Sequence, residues 1–200
     1  MNADLRGIAT ITVATITIAA GMLGGCVTFE HAPVSRYDCD PALAGTWQTV
    51  KTERLPRPID VSSDCRMRWP LDGGGTYETT LRSFALADHR YLAFTPEEAD
   101  RLIDMQGDLA KGAPAGSVLL ARYRIEGDEV RLWLADPAIT LAAGTQGQAT
   151  VQRLDERLAH VEGSRRTTAR LLRAHGDALF RERQAEGMTR FRRVAAEATP

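Results

Sequence analysis

The chain has 200 residues, enough for one ordinary domain or for one domain preceded by a targeting segment. Lys and Arg total 25, Asp and Glu total 26, and the formal net charge is −1, which argues against a protein built around nucleic acid. Hydrophobic residues make up 44% of the chain, which is sufficient for a packed core.

The N-terminal residues carry a targeting signal. A short polar start containing Arg6 leads into an uncharged stretch, diluted by threonines, from Ile8 to Leu23. A membrane-spanning helix needs about 20 mostly apolar residues, so this stretch is short for one. Its form is typical of a secretory signal peptide, and the alternative is an uncleaved anchor helix.

The apolar stretch ends in Leu23-Gly24-Gly25-Cys26. This ending resembles the bacterial lipobox, in which an aliphatic residue and two small residues precede a Cys that receives diacylglycerol. The resemblance implies that residues 1–25 are a lipoprotein signal peptide and that Cys26 becomes the lipidated N-terminus. Two or more acyl chains, as such lipoproteins carry, hold a protein stably on a membrane. Val27 follows, where Asp would resemble an inner-membrane retention signal, so the resemblance places the mature protein on the outer membrane, facing the periplasm.

Two further cysteines, Cys39 and Cys65, remain if Cys26 carries lipid. An even pair in an oxidising compartment predicts a disulfide. No His lies between them to complete a metal site, and neither belongs to a CxxC or Cys-His pattern of a reactive thiol. We therefore expect a structural bridge.

The mature chain is expected to begin with a lipid-anchored tether at residues 26–40, which have no sustained periodicity, followed by a single domain at 41–196. The first predicted strand is 43–50, with Trp47 inward. Gly45-Thr46-Trp47 resembles the Gly-x-Trp opening of lipocalin-like β-barrels, which implies an antiparallel sheet that encloses a small apolar ligand. Alternating Met67 and Trp69 predict the second strand.

Alternation and turn residues predict the remaining strands, and N-cap residues predict three short helices. The strands are expected at 77–81, 83–87, 91–94, 118–125, 129–134, 149–154, 158–162 and 189–194. The helices begin after Thr95, Asp136 and Ser164, and they are expected to reach Leu109, about Ala143, and Gly176 as a C-terminal cap. Together they predict an α+β fold with a largely antiparallel sheet, a partial barrel being one of its forms.

The sequence offers no motif for catalysis, metal or cofactor binding. The four histidines, His31, His89, His160 and His175, show no ligand spacing. The triple glycine at 73–75 leads into a strand, whereas a phosphate-binding loop leads into a helix. We expect no catalytic residue, no metal and no cofactor.

One regional imbalance is basic, because nine arginines follow Gly163 against four acidic residues. It indicates either a surface for an anionic envelope component or the solvated face of a helix and a charge-protected edge strand. Nucleic acid is not an expected partner in the periplasm, and no protein partner is indicated. The arginines are residues 165, 166, 170, 173, 181, 183, 190, 192 and 193.

Three hypotheses follow. The first is a non-enzymatic envelope interaction or accessory module. The second is a lipocalin-like carrier of a small apolar ligand. The third is a periplasmic hydrolase whose site residues are scattered beyond recognition. The residues that would line the carrier's ligand site are Trp47, Trp69, Phe84, Phe94 and Trp133.

Overall fold

The computed structural model describes residues 25–50, 58–71, 74–103, 108–181 and 188–194. The strands are β1 (Cys26–Phe29), β2 (Gly45–Thr49), β3 (Ile59–Val61), β4 (Arg66–Pro70), β5 (Thr76–Thr80), β6 (Arg82–Leu86), β7 (His89–Phe94), β8 (Val118–Glu126), β9 (Glu129–Leu134), β10 (Thr150–Arg153), β11 (Leu158–Glu162) and β12 (Met188–Arg193). The helices are α1 (Pro96–Ile103), α2 (Asp108–Gly112), α3 (Pro137–Thr145) and α4 (Arg165–Leu179), and a 3-10 helix at Pro41–Leu43 precedes β2. No helix in these ranges is long and apolar enough to span a membrane. Of the predicted signal peptide, residues 1–24 lie outside them.

The strands form one large sheet, in which the described pairs are antiparallel except β1 with β11. The order is β10-β11-β1-β8-β9-β12-β2-β3-β4-β5, and β7 pairs with both β6 and β8. The long β8 makes this branching possible, because its first residues pair with β1 while later residues pair with β9. The predicted α+β class with a largely antiparallel sheet is confirmed.

Strands β2 to β9 and β12 form a meander, in which the last strand, β12, pairs with the first, β2. Leu81 alone separates β5 from β6, and this nearly continuous segment pairs first with β4 and then with β7. No ladder of hydrogen bonds joins β5 to β6, so the described sheet is not closed by pairing.

Alternation along the strands divides the buried side chains between two cores. The meander core lies on one face of the meander and includes Trp47, Met67, Trp69, Phe94 and Tyr123. The helix core lies on the other face, where α3 and α4 cover the sheet, and includes Phe84, Tyr91, Trp133, Leu172 and Phe180.

The start of the expected tether is part of the sheet, because residues 26–29 form β1. All four β1 residues are buried, and their neighbours are β11 on one edge and β8 on the other. A strand buried on both faces shows no polar alternation, which is why the sequence pattern missed it.

Two helix predictions also need correction. The expected first helix is two helices, α1 and α2, so the described residues contain four α-helices instead of three. Gly176 does not end α4, which continues to Leu179. Its lack of a side chain serves packing instead, because a Cβ there would lie 3.2 Å from the Tyr91 hydroxyl.

Candidate functional site

Every strand of the meander except β6 contributes at least one apolar side chain to the meander core. Several of its side chains are only partly buried, so part of this apolar face remains accessible to solvent. These residues are Tyr77, Ile125, Leu132, Leu134 and Phe191.

The first and last strands of the meander are held together through Trp47. The Trp47 indole Nε1 donates to the carbonyl of Leu43 at 2.7 Å. The Arg193 guanidinium lies over the indole ring, 4.3 Å from its centroid, and donates to the carbonyls of Ala42 and Ala44. Gly45 permits this approach, because a Cβ there would lie 2.3 Å from Arg193 Nη1, and its φ of +138° also favours glycine. Gly45 and Trp47, the two defining residues of the Gly-x-Trp pattern, therefore both lie beside Arg193 of the last strand.

Residues 38–44 cross one end of the meander. The backbone of Asp38 bridges to Ser83 on β6, and the Asp40 carboxylate accepts from the Tyr123 hydroxyl at 2.7 Å and from Arg90 at 2.8 Å. Burial raises the pKa of Tyr123, and the hydrogen bond to Asp40 raises it further, so the phenol stays protonated as a donor. The predicted Cys39–Cys65 disulfide is confirmed and fixes the same segment beside the start of β4.

Helices α1 and α2 pack on the meander core through Ala99 and Leu109. The predicted capping box starts α1: Glu98 N donates to Thr95 Oγ1, and Thr95 N donates to the Glu98 carboxylate at 2.7 Å. The same carboxylate pairs with Arg82 and accepts from Thr79 at 2.7 Å, which ties α1 to β5 and β6. The buried Asp100 carboxylate accepts from the backbone of Leu109 and Ala110, and this fixes α2 against α1.

The five aromatic residues predicted to line a ligand site do not share one surface. Trp47, Trp69 and Phe94 lie in the meander core. Phe84 and Trp133 lie in the helix core, on the opposite face. Only Trp47, Trp69 and Phe94 can contact a ligand bound on the face of the meander core.

A buried arginine joins α4 to the sheet. The Arg122 side chain is 2% exposed, and its Nη1 donates to Asp177 Oδ1 at 2.7 Å. Its Nη2 contacts the imidazole of His89, whose Nε2 lies 3.3 Å from the same carboxylate oxygen. The ion pair with Asp177 compensates the buried charge of Arg122, and it anchors the C-terminal half of α4 to the sheet.

Cys26 is buried at the start of β1, and its side chain belongs to the meander core. Burial raises the pKa of its thiol to about 11; the nearby Arg157 opposes this rise, while Asp100 and Asp155 add to it. Its backbone N–H donates to the carbonyl of Arg157 at 2.8 Å. In this conformation the thiol is protonated and inaccessible.

The C-terminal arginines do not share one surface. Four lie exposed on α4, at positions 165, 166, 170 and 173. On the sheet, Arg124, Arg131 and Arg190 face one another across β8, β9 and β12, and they share the carboxylates of Glu126 and Glu129. Arg183 lies outside the described residues.

No group of three or more His, Cys, Asp or Glu side chains in the described ranges is arranged to hold a metal ion. Comparison of the chain with protein-family models, with curated proteins and with solved structures gives no match.

Proposed function

We propose that this chain is a lipid-anchored, non-enzymatic binding module of the bacterial envelope, and that the apolar face of the meander binds a small apolar ligand. The observation that carries the proposal is the contact of Arg193 with Trp47, together with the pairing of β2 with β12. A meander whose first and last strands pair, and whose β5–β6 segment bridges β4 and β7, favours a lipocalin-like partial barrel. The partly exposed Leu132, Leu134 and Phe191 supply apolar surface for the ligand.

The anchor is proposed on Cys26, at the lipobox-like sequence, with the mature protein on the periplasmic side of the outer membrane. The Cys39–Cys65 disulfide supports an oxidising compartment. Because the Cys26 thiol is buried in the folded chain, lipid attachment has to precede folding, and β1 then begins at Val27.

Mass spectrometry of the membrane-extracted protein tests the anchor. We expect an acylated N-terminal Cys26, and we expect a Cys26→Ala variant to remain unlipidated and uncleaved at this site. An unmodified residue 26 inside an uncleaved chain would contradict the anchor without bearing on the ligand.

Contact quenching by a dibrominated fatty acid tests the ligand site. The mature chain from residue 26, as Cys26→Ala, is suitable because every described strand lies between residues 26 and 193. One variant keeps only Trp69 (Trp47→Phe, Trp133→Phe) and its matched control keeps only Trp133 (Trp47→Phe, Trp69→Phe). We expect saturable quenching of Trp69, in the meander core, and little quenching of Trp133, in the helix core.

A second candidate is an envelope interaction module with no ligand of its own. The burial of Trp47, Met67, Trp69 and Phe94 favours it, because these side chains fill much of the meander core themselves. The same quenching experiment separates the two: absence of saturable quenching of Trp69 supports this candidate, and equal quenching of Trp133 places binding elsewhere.

A further inference from the structure

The exposed face of α4 carries a dense positive charge. Arg165, Arg166, Arg170 and Arg173 are all exposed, and within the described part of the chain none of them makes an ion pair. The only acidic residue in the helix is Asp177, whose carboxylate is bound by Arg122 and His89. The charge of the four arginines is therefore directed to solvent.

These arginines occupy positions that work against the stability of the helix. Arg165 and Arg166 lie in the first turn, where the helix dipole disfavours cations and where α4 has no acidic residue. Arg166 and Arg170 are four residues apart, and Arg170 and Arg173 are three apart, so like charges are neighbours on the helix surface. The stability of the helix itself therefore does not explain this placement.

An exposed aromatic residue borders the same surface. Tyr37 is 37% exposed, one of two large hydrophobic side chains exposed in the described ranges. Its ring packs on Phe84 at a centroid distance of 6.4 Å, and the Arg82 guanidinium lies 6.0 Å from it. Burial raises the pKa of the Tyr37 hydroxyl, and the positive charges of Arg82 and Arg165 act against this rise. A phenol beside arginines is typical of protein surfaces at the membrane interface.

We propose that Tyr37, Arg165, Arg166, Arg170 and Arg173, the α4 surface, bind the anionic phosphate headgroups of a lipid bilayer. Guanidinium groups donate bidentate hydrogen bonds to phosphate, and each basic residue near an anionic leaflet adds to the attraction. The aromatic ring favours a bilayer over a soluble polyanion, because it offers apolar surface to the interface. The choice of a membrane as partner rests on the proposed envelope location.

The proposed anchor and the N-terminal half of α4 lie at opposite ends of β1. Thr168 of α4 donates to the carbonyl of His31 at 2.9 Å, and β1 leads from Cys26 towards that residue. Five extended residues span about 16 Å, so a lipidated Cys26 and the N-terminal half of α4 can contact one bilayer. Lipid on Cys26 would hold the chain on the membrane, and the α4 surface would orient it.

Sedimentation with lipid vesicles tests this inference on the mature Cys26→Ala chain, with no apolar ligand present. We expect binding to vesicles of phosphatidylcholine mixed with phosphatidylglycerol, weak binding to phosphatidylcholine alone, and a decrease with added salt. The triple variant Arg166→Gln, Arg170→Gln, Arg173→Gln should bind on the order of a hundredfold more weakly. Because it removes like-charge neighbours, it should unfold at a temperature no lower than its parent does.

The matched control removes the same number of exposed charges elsewhere, with Arg66→Gln, Arg68→Gln and Arg153→Gln. It should lose much less binding than the α4 variant. Tyr37→Ser should weaken binding while leaving its salt dependence unchanged. Equal losses in the control and the α4 variant would overturn the proposal, as would binding of soluble polyphosphate by the α4 surface with no binding of vesicles. Since the assay uses neither lipid on residue 26 nor an apolar ligand, its failure is distinct from that of the proposed function.

Discussion

Arg193, on the last strand, lies over the indole ring of Trp47, on the first strand of the meander, with 4.3 Å between the guanidinium carbon and the ring centroid. The same guanidinium donates to the carbonyl of Ala42, in the 3-10 helix, and to that of Ala44, directly after it. One side chain therefore fixes three elements, and its removal should loosen the closure between β2 and β12.

Arg193→Gln is expected to lower the free energy of unfolding by about 2 kcal/mol, because it removes a cation–π contact and two charged hydrogen bonds. Arg193→Lys should lose less, since it keeps the charge but not the planar fork of donors. Urea unfolding measures both. The control is Arg192→Gln, at the neighbouring exposed position. If Arg192→Gln lowers the free energy of unfolding as much as Arg193→Gln does, the loss comes from removing a positive charge from β12 and not from the contact with Trp47.

Reduction of the Cys39–Cys65 disulfide is expected to lower the free energy of unfolding by about 3 kcal/mol, because the bridge restricts the unfolded chain. The loop spans 26 residues. Urea unfolding of Cys39→Ala, Cys65→Ala in a Cys26→Ala background, without reductant, measures the loss. The parent Cys26→Ala chain should show no free thiol when denatured, and two titratable thiols there would contradict the bridge.

The signals that predicted structure correctly were local ones. The capping box at Thr95 and Glu98, the Asp136 cap of α3 and the turn at Gly127 each depend on residues close together in the chain, so the sequence alone predicts them. The disulfide was predicted from the number of cysteines and from the expectation of an oxidising compartment.

The candidate site depended on relations that no local pattern contains. Arg193 contacts Trp47 from the other end of the domain, and nothing in its neighbourhood marks it out from the arginines beside it. Alternation predicted buried positions for Phe84 and Trp133 but not which face they share, because either face of a two-sided sheet is apolar here. A polar Thr28 in a buried strand was equally unpredictable, since its partner His160 lies on β11.

Gly176→Ala is expected to destabilise the domain, although alanine favours helices by about 1 kcal/mol over glycine. The new Cβ would lie 3.2 Å from the Tyr91 hydroxyl, and the Tyr91 ring has little freedom to move. It is fully buried between Phe84, at 5.1 Å, and Phe180, at 5.5 Å.

A double-mutant cycle isolates this contact. In a Tyr91→Phe background the hydroxyl is absent, so Gly176→Ala should become neutral or stabilising when measured by thermal unfolding. The same destabilisation in both backgrounds would mean that the strain arises elsewhere along α4.

The buried pair of Thr28 and His160 predicts a pH dependence of stability. The His160 Nδ1 lies 3.0 Å from Thr28 Oγ1, and both side chains are buried between β1 and β11. Burial lowers the pKa of His160 below its ordinary value, although the carboxylates of Glu162 and Glu30 act to raise it. The folded state therefore favours the neutral imidazole, while the unfolded chain binds a proton at about pH 6.5.

Between the folded and unfolded pKa values the unfolded chain binds more protons, so stability rises with pH in this window. The free energy of unfolding should be constant above the window and should fall as the pH drops below about 6.5. Below the folded pKa of His160 both states are protonated, and this contribution falls no further.

His160→Gln should remove this part of the dependence, because the amide can still bond to Thr28 without titrating. Urea midpoints at about pH 7.5 and about pH 5.5 measure it. His31→Gln, at an exposed position, should keep the full pH dependence. If His31→Gln instead loses the dependence and His160→Gln keeps it, the titrating group is His31 and the assignment to His160 is wrong.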